Sequence, residues 1–166
     1  MKNFYLILFL ILAVGNVCIY KTIFAPEVLE ISVMNVGKGS ATLIRTPNKK
    51  IILIDAGPDA SILRALGTVL PPWQRTIDAV ILTGAKVSMV GGLPDIKSRY
   101  RIQTPIEFGT NSIPYGARLT LDAVSIKIIS PATFSISYGS TSLNISSSTP
   151  AGTYISDGKT VTKIAQ

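Results

Sequence analysis

The pattern of apolar and polar positions divides the chain into two unlike parts. Residues 4–20 are an uncharged apolar run, interrupted only by Gly15 and Asn16. From Leu29 onward the apolar positions come in short strand-like groups. Leu29, Ile31 and Val33 alternate with Glu30, Ser32 and Met34, the period of two expected of a strand with one face inward. Val36 to Ser40 is a turn punctuated by Gly37 and Gly39, and Ala41 to Arg45 is a second strand. Thr46 to Lys49 is a turn, and Lys50 to Ile54 is a third strand, apolar enough to be buried on both faces. Two tight connections in succession predict an antiparallel meander.

Ile62, Leu63, Leu66, Val69 and Leu70 recur at helical spacing. They predict a helix over Asp59 to Val69, with Asp59 as N-cap and Pro71-Pro72 as its stop. Trp73 then reads as a cover over the edge of the core. Ile77 to Leu82 is a buried strand leading into a loop, Thr83 to Leu93. A short helix follows through about Tyr100, with Pro94 in its first turn. Ile102 to Phe108 is extended, and Gly109 to Ser112 is a turn. The remainder reads as β: Ala117 to Leu121, Ala123 to Ile129, Phe134 to Tyr138, Leu143 to Ser146 and Thr153 to Ser156. Pro131 breaks this series, and Ser146 to Thr149 is a low-complexity loop. Asp157-Gly158 signals a two-residue hairpin into Lys159 to Ile164.

Composition narrows the picture. With 166 residues, 47% hydrophobic and 15% charged, the chain is one packed domain and not a disordered tail. The N-terminal run is near the lower limit for crossing a bilayer, and it is flanked by Lys2 and Lys21. A short basic N-terminus stays inside, so residues 1–25 read as a signal anchor, a single-pass transmembrane helix. Residues 26–166 are then a domain on the outer, extracytoplasmic face. The rival is a cleaved signal peptide. Its site would need Ala25 at the cut, with bulky Ile23 at −3 and Pro26 after it. The only cysteine, Cys18, lies in this run, so no disulfide forms within one chain. The net charge of +7 favours anionic partners, lipid headgroups or nucleic acid. Most of the basic residues are scattered, as solubility requires. Local concentrations occur at Lys49-Lys50 and at Lys97, Arg99 and Arg101.

Three separated motifs carry a family resemblance. The first is V-G-K-G-S, Val36 to Ser40. The second is L-I-D-A-G-P, Leu53 to Pro58, after T-P-N-K-K. The third is the loop T-G-A-K-V-S-M-V-G-G-L, Thr83 to Leu93, after a connection with Trp73, Arg75 and Asp78. Over about Leu29 to Pro131 the chain resembles the metallo-β-lactamase superfamily, in particular its ComEC-type competence hydrolase domain. The resemblance implies an abbreviated αββα sandwich, strand-rich, with a shortened C-terminal half. Gly37, Gly39, Asp55, Gly57, Asp78, Thr83, Gly91 and Gly92 match the family pattern. In the family the loop reads T-H-x-H-x-D-H. The four ligand positions here hold Gly84, Lys86, Ser88 and Met89, and Lys38 and Ser40 stand where the family has Gln and Asp.

The chemistry of those replacements decides the functional expectation. A catalytic zinc needs about three ligands from His, Cys, Asp or Glu and an open position for water. Gly84 has no side chain, Lys86 repels a dication, Ser88 is a weak neutral ligand, and the Met89 thioether suits Cu(I) better than zinc. Histidine is absent from the whole chain, which also removes Ser-His-Asp and Cys-His catalysis. Asp55, Asp59, Asp78 and Asp95 are the remaining acids near the motifs, and their spacing suggests no shared Mg²⁺ site. The sequence therefore implies no catalytic residue, metal or cofactor, and a binding or scaffolding role for a pseudoenzyme. The alternatives are a metal-dependent hydrolase or nuclease of DNA uptake with a rebuilt site, and a decaying paralogue without activity. Asp55 reads either as a buried carboxylate accepting backbone N–H groups or as a relic ligand. Lys86 reads either as a solvated surface lysine or as a cation that holds a phosphate or other anion. No protein partner is legible.

Overall fold

A computed structural model describes residues 28–107 and 114–164, together with residues 5, 7 and 9–14 of the N-terminal run. The turn expected at Gly109 to Ser112 and most of the expected anchor lie outside the described residues. Residues 5, 7 and 9–14 are helical, and Ile7, Phe9, Leu10, Ile11, Leu12 and Val14 are all exposed. Among the described residues no helix is long and apolar enough to cross a membrane.

The domain is built in three layers. Its centre is a seven-stranded mixed sheet in the order β11-β10-β1-β2-β3-β4-β5. Here β1 is Leu29–Val33, β2 Thr42–Arg45, β3 Ile51–Ile54, β4 Thr76–Leu82, β5 Arg101–Glu107, β10 Gly152–Ser156 and β11 Val161–Ile164. The first three strands form the expected antiparallel meander, and β3, β4 and β5 then run parallel. A second, antiparallel sheet holds β6 (Arg118–Leu121), β7 (Val124–Ser130), β8 (Thr133–Tyr138) and β9 (Thr141–Ile145) in sequential order. Among the described residues of the domain three helices occur: α1 (Ser61–Val69), α2 (Val87–Val90) and α3 (Leu93–Arg99).

Two cores follow from the alternation. Leu43, Ile51, Leu53 and Val80 face the helices and pack with Ile62, Leu66 and Ile96. Ile31, Ile44, Ile52, Ile54 and Ile81 face the second sheet and pack with Ile126, Ile128, Phe134 and Ile136. The strand β3 is buried along its whole length because it lies between both cores.

The structure refines or departs from the expectations in several places. The outer helical layer of an αββα sandwich is absent among the described residues. Apart from the exposed Ile129, the outward positions of the second sheet, among them Ser125, Lys127, Ser135, Ser137, Ser142 and Asn144, are polar and offer a helix little to bury. The regular span of α1 begins at Ser61, after Ala60, yet Asp59 does the capping: its Oδ1 accepts from Ser61 N–H (2.8 Å) and its carbonyl from Ile62 N–H (3.3 Å). Trp73 does not cover the core; it is 80% exposed on the loop between α1 and β4. The loop after β4 contains an extra helical turn, α2, that no apolar periodicity announces. Asp157 and Gly158 do sit in a hairpin. Its loop runs over residues 157–160, since Ser156 pairs with Val161 and Asp157 Oδ1 accepts from the N–H groups of Lys159 and Thr160. The Ser146 to Thr149 segment is a closed turn, in which Thr149 N–H donates to Ser146 O and Ser146 N–H to Thr149 Oγ1.

Candidate functional site

The three motifs meet at the end of the large sheet where β3 and β4 finish. Asp55 follows β3 and Thr83 follows β4, and both are fully buried. Parallel pairing of the two strands brings them together. Asp55 N–H donates to Ile81 O (2.8 Å), and Asp55 adopts φ +58°, a left-handed conformation that Asp tolerates better than most residues.

The loop beyond Thr83 is laid directly on the turn that follows Asp55. Ala56 N–H donates to Met89 O, Gly92 N–H to Gly57 O, and Ser40 N–H to Ser88 O. The matching glycines serve this contact. A Cβ at Gly91 would strike the Pro58 carbonyl, and one at Gly92 the Ala56 carbonyl oxygen. Gly57 has φ +70°, the left-handed region where glycine is unstrained. The frame is therefore backbone laid against backbone, and it holds its shape without any ligand side chain.

Asp55 is the polar centre of this end. Its Oδ1 accepts from Thr83 N–H (2.8 Å) and Thr83 Oγ1 (3.0 Å), and its Oδ2 lies 2.8 Å from Thr83 Oγ1 and accepts from Ser40 Oγ (2.9 Å). Thr83 Oγ1 in turn accepts from Ala132 N–H (2.8 Å), and Thr83 O accepts from Tyr115 Oη (2.8 Å). Burial raises the Asp55 pKa above its ordinary value, and the hydrogen bonds from Thr83 and Ser40 offset only part of that rise. Ser40 was marked by the first motif, whereas Tyr115 and Ala132 are members of the site that no sequence signal pointed to. The contacts of these three with residues 55 and 83 span 15 to 49 positions.

The four loop positions take separate places. Met89 is buried, with its Sδ 3.8 Å from Thr83 Oγ1. A Cβ at Gly84 would lie 3.0 Å from that sulfur, so Met89 occupies space beside position 84. Ser88 is half-buried, and Lys86 is exposed at the start of α2, where its carbonyl accepts from Met89 and Val90. Of the other acids, Asp78 is remote, at the start of β4, accepting from Ile51 N–H (2.8 Å). Asp59 is exposed and engaged with Ser61, and Asp95 lies in the first turn of α3. Among the described residues no three His, Cys, Asp or Glu side chains group to hold a metal. The dinuclear centre that the motif resemblance implies does not fit these residues. The one central carboxylate already accepts from Thr83 and Ser40 on both oxygens, and the adjoining volume holds a thioether.

A scan against protein-family models and a search of curated proteins found no match. Solved structures that are similar include three of note. A metallo-β-lactamase from Cronobacter sakazakii with a mutated HARLDQ motif has 18% identity and a TM-score of 0.47, over 68% of this chain and 58% of that one. The metallo-β-lactamase fold protein YhfI from Bacillus subtilis has 14% identity and a TM-score of 0.47, over 82% and 62%. A diphosphatase of the PhnP family has 12% identity and a TM-score of 0.44, over 69% and 64%. The chain spans less than two thirds of the length of each. The structural neighbours are consistently metallo-β-lactamase-fold proteins, and this chain is a strand-rich α/β sandwich with such neighbours.

Proposed function

We propose that this chain is a membrane-anchored, catalytically degenerate domain of the metallo-β-lactamase type, related to the ComEC-type hydrolases and serving to bind or scaffold a partner. The observation that carries this reading is the Asp55–Thr83–Met89 arrangement. A carboxylate that serves a metal must offer a free lone pair to it. Asp55 is instead fully buried in a packed corner, accepting from Thr83 and Ser40, and among the described residues no second and third His, Cys, Asp or Glu group with it. Support for the anchor comes from the apolar run 4–20 and from the exposed apolar side chains of its described helical residues. With the N-terminus inside, the domain lies on the outer face.

The exposed Lys86 at the loop apex is the group through which this end would meet an anion, such as a phosphate or single-stranded nucleic acid. The competing reading is a metal-dependent hydrolase or nuclease with a rebuilt site. Both are tested on the full chain in detergent, incubated with Zn²⁺ or Mn²⁺ and a chromogenic phosphodiester. The pseudoenzyme reading expects the rate of buffer alone. Turnover that is abolished by chelation and by Asp55→Ala, but kept by a distant surface variant, would establish the hydrolase.

A further inference from the structure

The strands β1, β3, β4 and β5 all point the same way, because β1 and β3 are each antiparallel to β2, and β3, β4 and β5 are parallel. The site described above lies at the end where β3 and β4 finish. These four strands begin at the opposite end. The apolar run reaches the domain there, since residues 21–28 lead directly into Leu29 at the start of β1.

That opposite end gathers unpaired cations and an exposed aromatic. The β2–β3 turn supplies Lys49, with φ +64°, exposed to solvent. The α1–β4 loop supplies Trp73 and Arg75, and the α3–β5 junction supplies Arg99 and Arg101. The two segments are tied by the bond from Arg101 N–H to Arg75 O (2.8 Å). The β10–β11 loop supplies Lys159. All are exposed, and none of these cations forms an ion pair among the described residues. The pairs that exist join Arg45 to Glu30 and Lys50 to Asp122. A cleft of about 630 Å³ opens between Arg45 and Lys49 on one side and the residues 68–74 segment on the other. Lys49 and the Arg99–Arg101 segment, distant in sequence, thus come to one end of the fold, where Asp122 is paired with Lys50 and Asp157 is the exposed acid beside Lys159.

We infer that this end of the domain docks on the anionic phospholipid headgroups of the membrane entered by residues 4–20, with Trp73 seated at the headgroup level. The inference rests on the anchored reading above. Its parts are those of an interfacial surface: an amphipathic ring that prefers the membrane–water boundary, surrounded by cations that anionic headgroups attract. Charge complementarity and the entry point of the apolar run favour a lipid surface over a protein partner. The tether permits contact without forcing it, since residues 21–28 reach at most about 28 Å when extended. The cations and Trp73 supply the attraction that closes this gap. Docked in this way, the domain turns its Asp55–Thr83 end away from the bilayer by the length of β4, about 20 Å.

Trp73 is the only tryptophan, so it reports its own position. The full chain is reconstituted into vesicles of phosphatidylcholine alone or with phosphatidylglycerol, each with lipid brominated high on the acyl chain. Flotation is measured alongside. The expected result is co-flotation with both vesicles. Trp73 emission should be quenched and shifted to shorter wavelength with phosphatidylglycerol, with the quenched fraction falling about fivefold or more in Arg75→Glu/Arg101→Glu. Co-flotation with Trp73 emission unquenched, or quenched equally by both vesicles, would overturn the docking and leave the anchor standing. Failure to float with either vesicle would overturn both. The comparison of lipids in the unaltered chain decides the matter even if the double variant does not fold.

Discussion

The role of Asp55 is tested by replacing it in two ways. Asp55→Ala leaves the buried Thr83 N–H without its acceptor and strips the Thr83 and Ser40 hydroxyls of theirs. One orphaned buried N–H costs about 1–3 kcal/mol. Alanine at φ +58° adds about 1 kcal/mol, since it lacks the local tolerance of Asp for the left-handed region. The expected loss is about 3 kcal/mol, which for a chain of this size lowers Tm by about 10 °C. Asp55→Asn keeps an acceptor for Thr83 N–H, and the rotatable hydroxyls can turn to accept from the new amide. It should stay within about 1 kcal/mol of the unaltered chain at neutral pH.

The pair also carries a pH signature. Because burial raises the Asp55 pKa, the folded chain binds a proton more tightly than the unfolded one. The stability associated with this group is fully present below the ordinary carboxylate value of 3.8 and is lost as pH rises through the raised folded value. Asp59, whose pKa is lowered by its bonds with Ser61, acts in the opposite sense and cancels in the comparison. Thermal melts of the full chain in detergent, followed by circular dichroism from acid to neutral pH, should show the unaltered chain losing stability relative to Asp55→Asn as pH rises. An Asp55→Ala variant as stable as the unaltered chain, or an Asp55→Asn variant as weak as Asp55→Ala, would refute the reasoning.

Three other outcomes follow from particular contacts. Gly92→Ala should fail to give a cooperative melt, because its Cβ meets the Ala56 and Asp59 carbonyl oxygens and backbone cannot yield as a side chain can. Trp73→Ala should leave Tm in detergent within the error of a surface substitution, about 0.5 kcal/mol, because the ring is 80% exposed. A clear drop would mean that Trp73 packs on the core after all. Ser40→Ala removes one of the donors to Asp55 and should cost about 1 kcal/mol, read from the same melts.

The legible parts of the fold were those governed by local pattern. Alternation from Leu29 to Ile54 was enough for three strands and their antiparallel order, because short turns leave neighbouring strands little choice. The full burial of β3 followed from its unbroken apolar run. The insertion of β10 beside β1 was not legible: Glu30 pairs with Ile155, and no local signal reports a partner so far along the chain. The absence of a fourth layer among the described residues agrees with the outward serines of β7 to β9. Trp73 was misjudged because its size suggests burial, whereas its place beside two prolines in a connection exposes it. At the site, the glycines and the acid were visible as motif residues. The convergence of Tyr115 and Ala132 on Thr83 was not, since it depends on the second sheet closing over the first, and the Ser40–Asp55 bond joins two turns of the large sheet.

The proposed function holds that the loop from Thr83 to Leu93 binds no catalytic metal. The most direct measurement is the metal content of the purified full chain after equilibration with excess Zn²⁺ and removal of free ion, by plasma mass spectrometry, with Tm recorded before and after chelation. The account predicts substoichiometric zinc and an unchanged Tm. Zinc at one or two ions per chain, lost in Asp55→Ala and accompanied by a rise in Tm that chelation reverses, would contradict it.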